Sequence, residues 1–139
     1  MGMESLRALM QLPLAAIDFA ANGGTNFARL EMLRGDEAKA AIYEQLAHVG
    51  HSAAEMTLMA NQLLEELGDK AVCRQFIISG GVRTFLDGYY LTQKLNAPAI
   101  YGQASSFLRH ARGSYEELQA YVAAQIEGLE LANAFLRVR

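Results

Sequence analysis

Phe76-Ile77-Ile78-Ser79-Gly80-Gly81-Val82 leads directly into the patterned segment from Thr84 to Leu95. A short β-rich run, two glycines and a helical period spell out a strand, a tight turn and a helix. The backbone amides of such a turn can face an anion, and the helix N-terminus adds its dipole, so the arrangement suits a phosphate cradle. Glycine also serves wherever the backbone needs a positive φ, which leaves a plain turn open as the other reading of the pair.

The same order of features recurs on either side. Upstream, Leu14-Ala15-Ala16-Ile17-Asp18-Phe19 precedes Asn22-Gly23-Gly24-Thr25, and downstream Ala99-Ile100-Tyr101 precedes Gly102-Gln103-Ala104-Ser105. Three successive strand-then-helix units predict an α/β fold with a parallel sheet, in which ligands gather at the carboxyl ends of the strands. All three glycine turns are therefore expected to open on one rim.

Composition sets the bounds. The 139 residues carry 52% hydrophobic side chains and a formal charge of −3, enough for one modest domain and without the basic balance that nucleic acid attracts. Charges interrupt every apolar run well short of the roughly 20 residues of a membrane span, and the first residues lack the charged start and long apolar middle of a signal peptide, so a cytoplasmic location is expected. The single cysteine, Cys73, has no internal disulfide partner and reads as a buried structural thiol rather than a nucleophile.

Ahead of the first strand, Glu4 to Leu12 reads as a helix with Leu6, Leu9, Met10 and Leu12 on one face, stopped by Pro13. A chain that opens on a helix and holds three βα units resembles the later part of a larger domain. Asp18, at the end of strand one, can either hold the next loop through backbone amides or face a ligand. Phe27 to Arg34 suits a helix or an extended run, with Glu31 and Arg34 on a shared face if helical. Asp36 to Val49 is mixed, its Ala40, Ala41, Tyr43, Leu46 and Ala47 suggesting a helical turn or two. His48 and His51 stand three apart, where loop and capping roles outweigh a zinc site.

Ser52-Ala53-Ala54-Glu55 is a capping box opening a helix whose apolar stripe is Met56, Met59, Ala60, Leu63, Leu64 and Leu67, closed by Gly68. Thr84 to Asp87 is a looser version, followed by a packing face of Leu86, Tyr89, Tyr90 and Leu95. Ser105-Ser106 starts a short helix through Ala111. Ser114 starts the longest one, with Leu118, Tyr121, Val122, Ile126, Leu129, Ala132 and Leu136 expected to face the core.

Three motifs together carry a resemblance: Ile17-Asp18 with Gly23-Gly24-Thr25-Asn26-Phe27-Ala28 and Glu31; Ser79-Gly80-Gly81-Val82-Arg83 with Leu86-Asp87; and Gly102-Gln103-Ala104-Ser105. In order and spacing the chain resembles the C-terminal part of type 2 isopentenyl-diphosphate isomerase, the flavin-dependent (β/α)8 TIM-barrel family. The resemblance implies a partial barrel in which the three strands stand as the sixth, seventh and eighth. It further implies that Thr25 hydrogen-bonds flavin mononucleotide (FMN), that Gly80, Gly81 and Val82 with Ala104 and Ser105 hold its phosphate, and that Glu31 is the acidic residue near flavin and substrate.

The family interconverts isopentenyl and dimethylallyl diphosphates with reduced FMN as an acid/base participant, and uses magnesium (Mg2+) and a reductant such as NADPH. Its first five strands have no counterpart in these 139 residues. With them go the acid/base glutamine, the magnesium-binding glutamate, the basic groups for the substrate diphosphate and a lysine near the flavin. The resulting expectation is a chain that holds the cofactor's phosphate end and is inactive alone; the alternative is a non-catalytic flavin- or phosphate-binding half-barrel that self-assembles. Three parallel strands with open edges predict a homo-oligomer, or pairing with a separate N-terminal barrel segment.

Overall fold

A computed structural model of the chain describes residues 1–35, 39 and 42–139. The sequence begins with helix α1 (Met3–Met10), which ends two residues before the expected Leu12. Pro13 disfavours helical geometry in the residue before it, so Leu12 leaves the helix and is 46% exposed, while Leu6 and Met10 are fully buried. Strand β1 (Ile17–Asp18) pairs in parallel with β2 (Phe76–Ile78), and β2 with β3 (Ala99–Tyr101), in the sheet order β1-β2-β3. Asp18 stands opposite Ile77, and Ile77 opposite Ile100.

Pairing extends beyond the short β1: the amides of Ile17, Phe19 and Ala21 donate in turn to the carbonyls of Gln75, Ile77 and Ser79, each at 3.0 Å. The period of two then sorts the side chains. Ile17, Phe19, Ala21, Phe76 and Ile78 point into the core, with Phe19 and Phe76 in tilted ring contact at 5.7 Å between centroids. Asp18, Ala20, Ile77, Ser79 and Ile100 fall on the other face by the same alternation, and Ile100 is 66% exposed.

Between β1 and β2 lie α2 (Phe27–Met32), a 3-10 turn (Glu44–His48) and α3 (Ala53–Leu67). Of the helical turns expected from Asp36 to Val49, the part at Asp36, Glu37, Ala40 and Ala41 lies outside the described residues; Ala47 is buried, while Tyr43 and Leu46 are exposed. Helix α3 carries both arms of its capping box and stops at Gly68, which has a φ of 53°. Met56, Ala60, Leu63, Leu64 and Leu67 form its buried stripe against the sheet, and an Arg7–Glu66 ion pair at 2.6 Å fastens α1 to it.

Helix α4 (Phe85–Lys94) follows β2, α5 (Ser105–Ala111) follows β3, and α6 (Tyr115–Phe135) completes the chain. Two expected packing faces are corrected. On α4 the buried residues are Gly88, Tyr89 and Leu91, with Leu95 just beyond, whereas Leu86 and Tyr90 of the expected face are about half exposed. On α6 Gly128 and Ala132 are buried and Leu118, Tyr121, Val122 and Leu129 half-buried, while Ile126 and Leu136 of the expected face are exposed. The cause is geometric: α6 leans on α4 and α5 rather than on the sheet, so it needs close approach at a few small residues. Gly128 provides one, since a Cβ there would come within 2.6 Å of the Phe85 ring.

Among the described residues, no helix is long and apolar enough to cross a membrane. Cys73 is buried, its Sγ 3.8 Å from the Gln75 carbonyl oxygen.

Candidate functional site

The carboxyl ends of the three strands share one cleft of about 630 Å³. Its lining comes from the turn after β1, with Gly23, Gly24 and Thr25; the turn after β2, with Gly80, Gly81 and Val82; and the turn after β3, with Ala104 and Ser105. Phe27 and Leu108 supply apolar wall. The rim expected from three glycine turns is present because parallel strands deliver all their carboxyl ends to one side.

The glycines have a structural task of their own. Gly23, Gly80 and Gly81 have φ values of 97°, 90° and 76°, a region costly for any side chain. The turns after β1 and β2 also pack main chain on main chain. A Cβ on Gly80 would fall on the carbonyl of Ala21, and one on Gly23 would lie 2.7 Å from the Cα of Gly81. Close turn packing and a ligand cradle thus use the same residues, and the plain-turn reading and the cradle reading do not exclude each other.

The amides separate the two roles. Those of Gly80, Gly81, Val82, Ala104 and Ser105 have no protein acceptor among the described residues. Just beyond, the supply ends: Asp87 accepts from the amides of Arg83 at 3.0 Å and Thr84 at 2.9 Å, closing the N-terminus of α4 with its own carboxylate. At α5 no side chain caps the N-terminus, so its first amides stay open to the cleft. Gln103 and Ser106 both donate to the Arg83 carbonyl, Ser106 at 3.2 Å, and tie the second turn to the third. Gln103 also reaches the Tyr121 hydroxyl at 3.1 Å.

Among the described residues, Asp18 is the one ionisable residue lining the cleft. Its Oδ1 accepts from the Ser79 hydroxyl and, at 2.9 Å, from the Ala20 amide. Of its two readings from sequence, holding the loop is the one its contacts serve. Glu31, singled out with Thr25, does not line the cleft. It pairs with Arg34 at 3.3 Å, and its side chain is 75% exposed. Asn26, which caps α2 by accepting from the Arg29 amide at 3.0 Å, starts the helix so that Glu31 lies on an open side.

His48 and His51 line a second, polar hollow on the other side of the Gly23–Thr25 turn. Among the described residues, no three His, Cys, Asp or Glu side chains converge as metal ligands. Tyr101, on β3, has its phenol pushed above the ordinary range by burial and, secondarily, by Tyr121.

Sequence reasoning missed Ser79 and Gln103 as cross-links between turns. A serine before two glycines and a glutamine after one carry no periodic signal. Their partners lie 61 and 20 positions away.

No family model matches the chain. Among curated proteins it is similar to the isopentenyl-diphosphate delta-isomerase of Ignicoccus hospitalis, with 28% identity over 133 residues. The match covers 92% of this chain and 34% of that protein, so the chain spans about a third of the length of the curated relative it matches.

Proposed function

We propose that these residues form the phosphate-holding part of a flavin-dependent isomerase acting on isoprenoid diphosphates, with β1, β2 and β3 as the last three strands of a (β/α)8 barrel. The observation that carries this is the set of unengaged amides at Gly80, Gly81, Val82, Ala104 and Ser105, gathered from two turns onto one cleft. Amides held in this way complement a phosphate's charge without the cost of reorganising at the moment of binding. A flavin phosphate suits such a cleft, whose lining adds apolar Phe27 and Leu108 to the amides of the two turns.

Thr25 offers a hydroxyl beside that wall, whereas Glu31, outside the cleft and paired with Arg34, takes no part in holding the ligand in this arrangement. When bound, FMN supplies the acid/base chemistry of allylic proton transfer. The chain's own part is to bind and orient. Among the described residues, no three His, Cys, Asp or Glu side chains converge that could hold magnesium.

The similarity to the archaeal isomerase supports the choice of reaction class. These 139 residues by themselves are expected to hold flavin without turning over isopentenyl diphosphate. Among the described residues, the cleft's sole carboxylate is Asp18, and it is committed to Ser79 and Ala20.

Incubation with FMN, removal of the unbound fraction and a visible absorption spectrum test the reading, with riboflavin, which lacks the phosphate, as the control. Retention of FMN but not riboflavin is expected. Ser105→Asp should abolish it while leaving the fold intact, because a carboxylate in the first turn suits the α5 dipole but repels a phosphate. Equal retention of FMN and riboflavin, or retention by Ser105→Asp, overturns the proposal.

A second reading, self-assembly, is favoured by Ile100, which projects 66% exposed from the open sheet face. The outer edges of β1 and β3 offer backbone groups to a further strand from a second copy or from a separate barrel segment. Light scattering should give a mass above that of a monomer; a monomeric mass would count against it.

A further inference from the structure

We infer that Asp18 is a positioning residue that holds the phosphate cradle in shape through Ser79, by accepting hydrogen bonds rather than by its charge. The inference rests on the phosphate-holding reading above. A carboxylate lining a cleft for an anion is unfavourable unless it does something else there. Here it bridges two strands. Asp18 ends β1 and lies opposite Ile77; Ser79, two residues further on and just past the end of β2, comes up on the same face.

Asp18 Oδ1 takes both the Ser79 hydroxyl and the Ala20 amide, and Ser79 Oγ stands 3.2 Å from that same amide. The three groups close a small ring at the root of both glycine turns. Ala20 has a φ of 44°, the one non-glycine positive φ among the described residues, and these two oxygens are what its amide gains there.

From this ring the constraint passes directly to the cradle. Ala21, next to Ala20, donates to the Ser79 carbonyl at 3.0 Å, and its own carbonyl fills the space that a Gly80 side chain would need. Gly80, Gly81 and Val82 follow Ser79 without an intervening residue. Losing the ring frees Ala20, hence the Ala21 carbonyl, hence the direction of the Gly80 and Gly81 amides. An anion bound by several amides at once is sensitive to such misdirection.

The test compares FMN and riboflavin affinities by flavin fluorescence in the unmodified chain, Asp18→Ala, Ser79→Ala, their double variant and Asp18→Asn. Each alanine variant should weaken FMN about tenfold, the size of one charge-assisted hydrogen bond, and leave riboflavin unchanged. The double variant should be weaker than either single one but by less than the product of their two effects, since both singles already lose the Asp18–Ser79 contact and only the double strips the Ala20 amide of both oxygens. Asp18→Asn keeps Oδ1 as an acceptor and should stay within about threefold.

Without ligand, the Ala21 amide should exchange its hydrogen about tenfold faster in both alanine variants, again the worth of one hydrogen bond. Alanine variants that bind FMN normally overturn the inference while leaving the phosphate-holding reading intact. So does an Asp18→Asn variant as weak as Asp18→Ala, which would make charge the operative property. An unmodified chain that does not prefer FMN to riboflavin overturns the reading and this assignment of purpose together. Unchanged Ala21 exchange refutes the ring as a restraint in its own right.

Discussion

Replacing Gly80 by alanine should destabilise the protein far more than replacing Gly102, although both glycines follow a strand and line the same cleft. At Gly80 the backbone has a φ of 90°, where an L side chain costs about 1–2 kcal/mol. The new Cβ would also fall on the Ala21 carbonyl. Relieving that clash requires the turns after β1 and β2 to part. The hydrogen bond from Ala21 to Ser79 is then lost or stretched, for about 1 kcal/mol, as is the contact of Gly23 and Gly24 with the second turn.

The sum is about 3–4 kcal/mol. For a domain of this size it lowers the midpoint of thermal unfolding by about 10–14 °C. At Gly102 the added Cβ meets the Ser79 Cβ at 3.5 Å, an ordinary contact, and the backbone is outside the left-handed region. Gly102→Ala should therefore melt within about 3 °C of the parent, helped by a smaller unfolded-state entropy. Circular dichroism melts of the three proteins decide the matter. A Gly80→Ala midpoint within about 3 °C of the parent would refute the claim that the two turns bear on each other.

Thr84→Ala removes the Oγ that accepts from the Asp87 amide at 3.2 Å and should cost about 1 kcal/mol by denaturant unfolding. Leu63→Ala, at a fully buried position of α3, should cost about 2–5 kcal/mol in the same assay. Tyr89→Phe deletes the hydroxyl that donates to the Leu136 carbonyl at 2.9 Å; faster hydrogen exchange near the end of α6 is expected, with the core unchanged. Glu55 has its carboxyl held below the ordinary value of 4.5 by hydrogen bonds from Ser52. A depressed folded-state value means that its contribution is complete above 4.5 and declines as the pH falls through the folded value, so stability should drop on the acid side. Glu55→Gln should flatten that part of the stability–pH profile.

Local rules made much of the fold legible. Both capping boxes sit where serine or threonine stands three residues before an acid, and α3 buries the stripe its period marks, apart from the half-buried Met59. Parallel pairing followed from the repeated strand-then-helix order, and the shared rim followed from parallel pairing. The long α6 was misjudged because a periodic stripe states which side is apolar and not what it meets. Leu118, Tyr121, Val122 and Leu129 are half-buried, with Tyr121 against Phe107 and His110, but Ile126 and Leu136, with the same spacing, stay exposed.

Within the cleft, backbone donors could be foreseen from glycine, and Thr25, Ala104 and Ser105 from motif positions. The Asp18–Ser79 contact could not, since register between distant strands has no local signature. Nor could the outward place of Glu31, which depends on where Asn26 starts its helix.

The main-chain contact between the turns after β1 and β2 has a consequence for mapping such a protein by mutation. In a saturation scan scored by flavin binding, Gly23, Gly80 and Gly81 would stand out as intolerant positions at the mouth of a pocket, the usual mark of residues that touch a ligand. Their intolerance would report mostly on whether two loops can be stacked at all. Scored a second time by abundance alone, the same positions should fail equally, whereas Ser105 should fail only in the binding screen. The two turns also behave as a single heritable part: a loop grafted from elsewhere onto one strand end brings no benefit unless its counterpart on the next strand is exchanged with it.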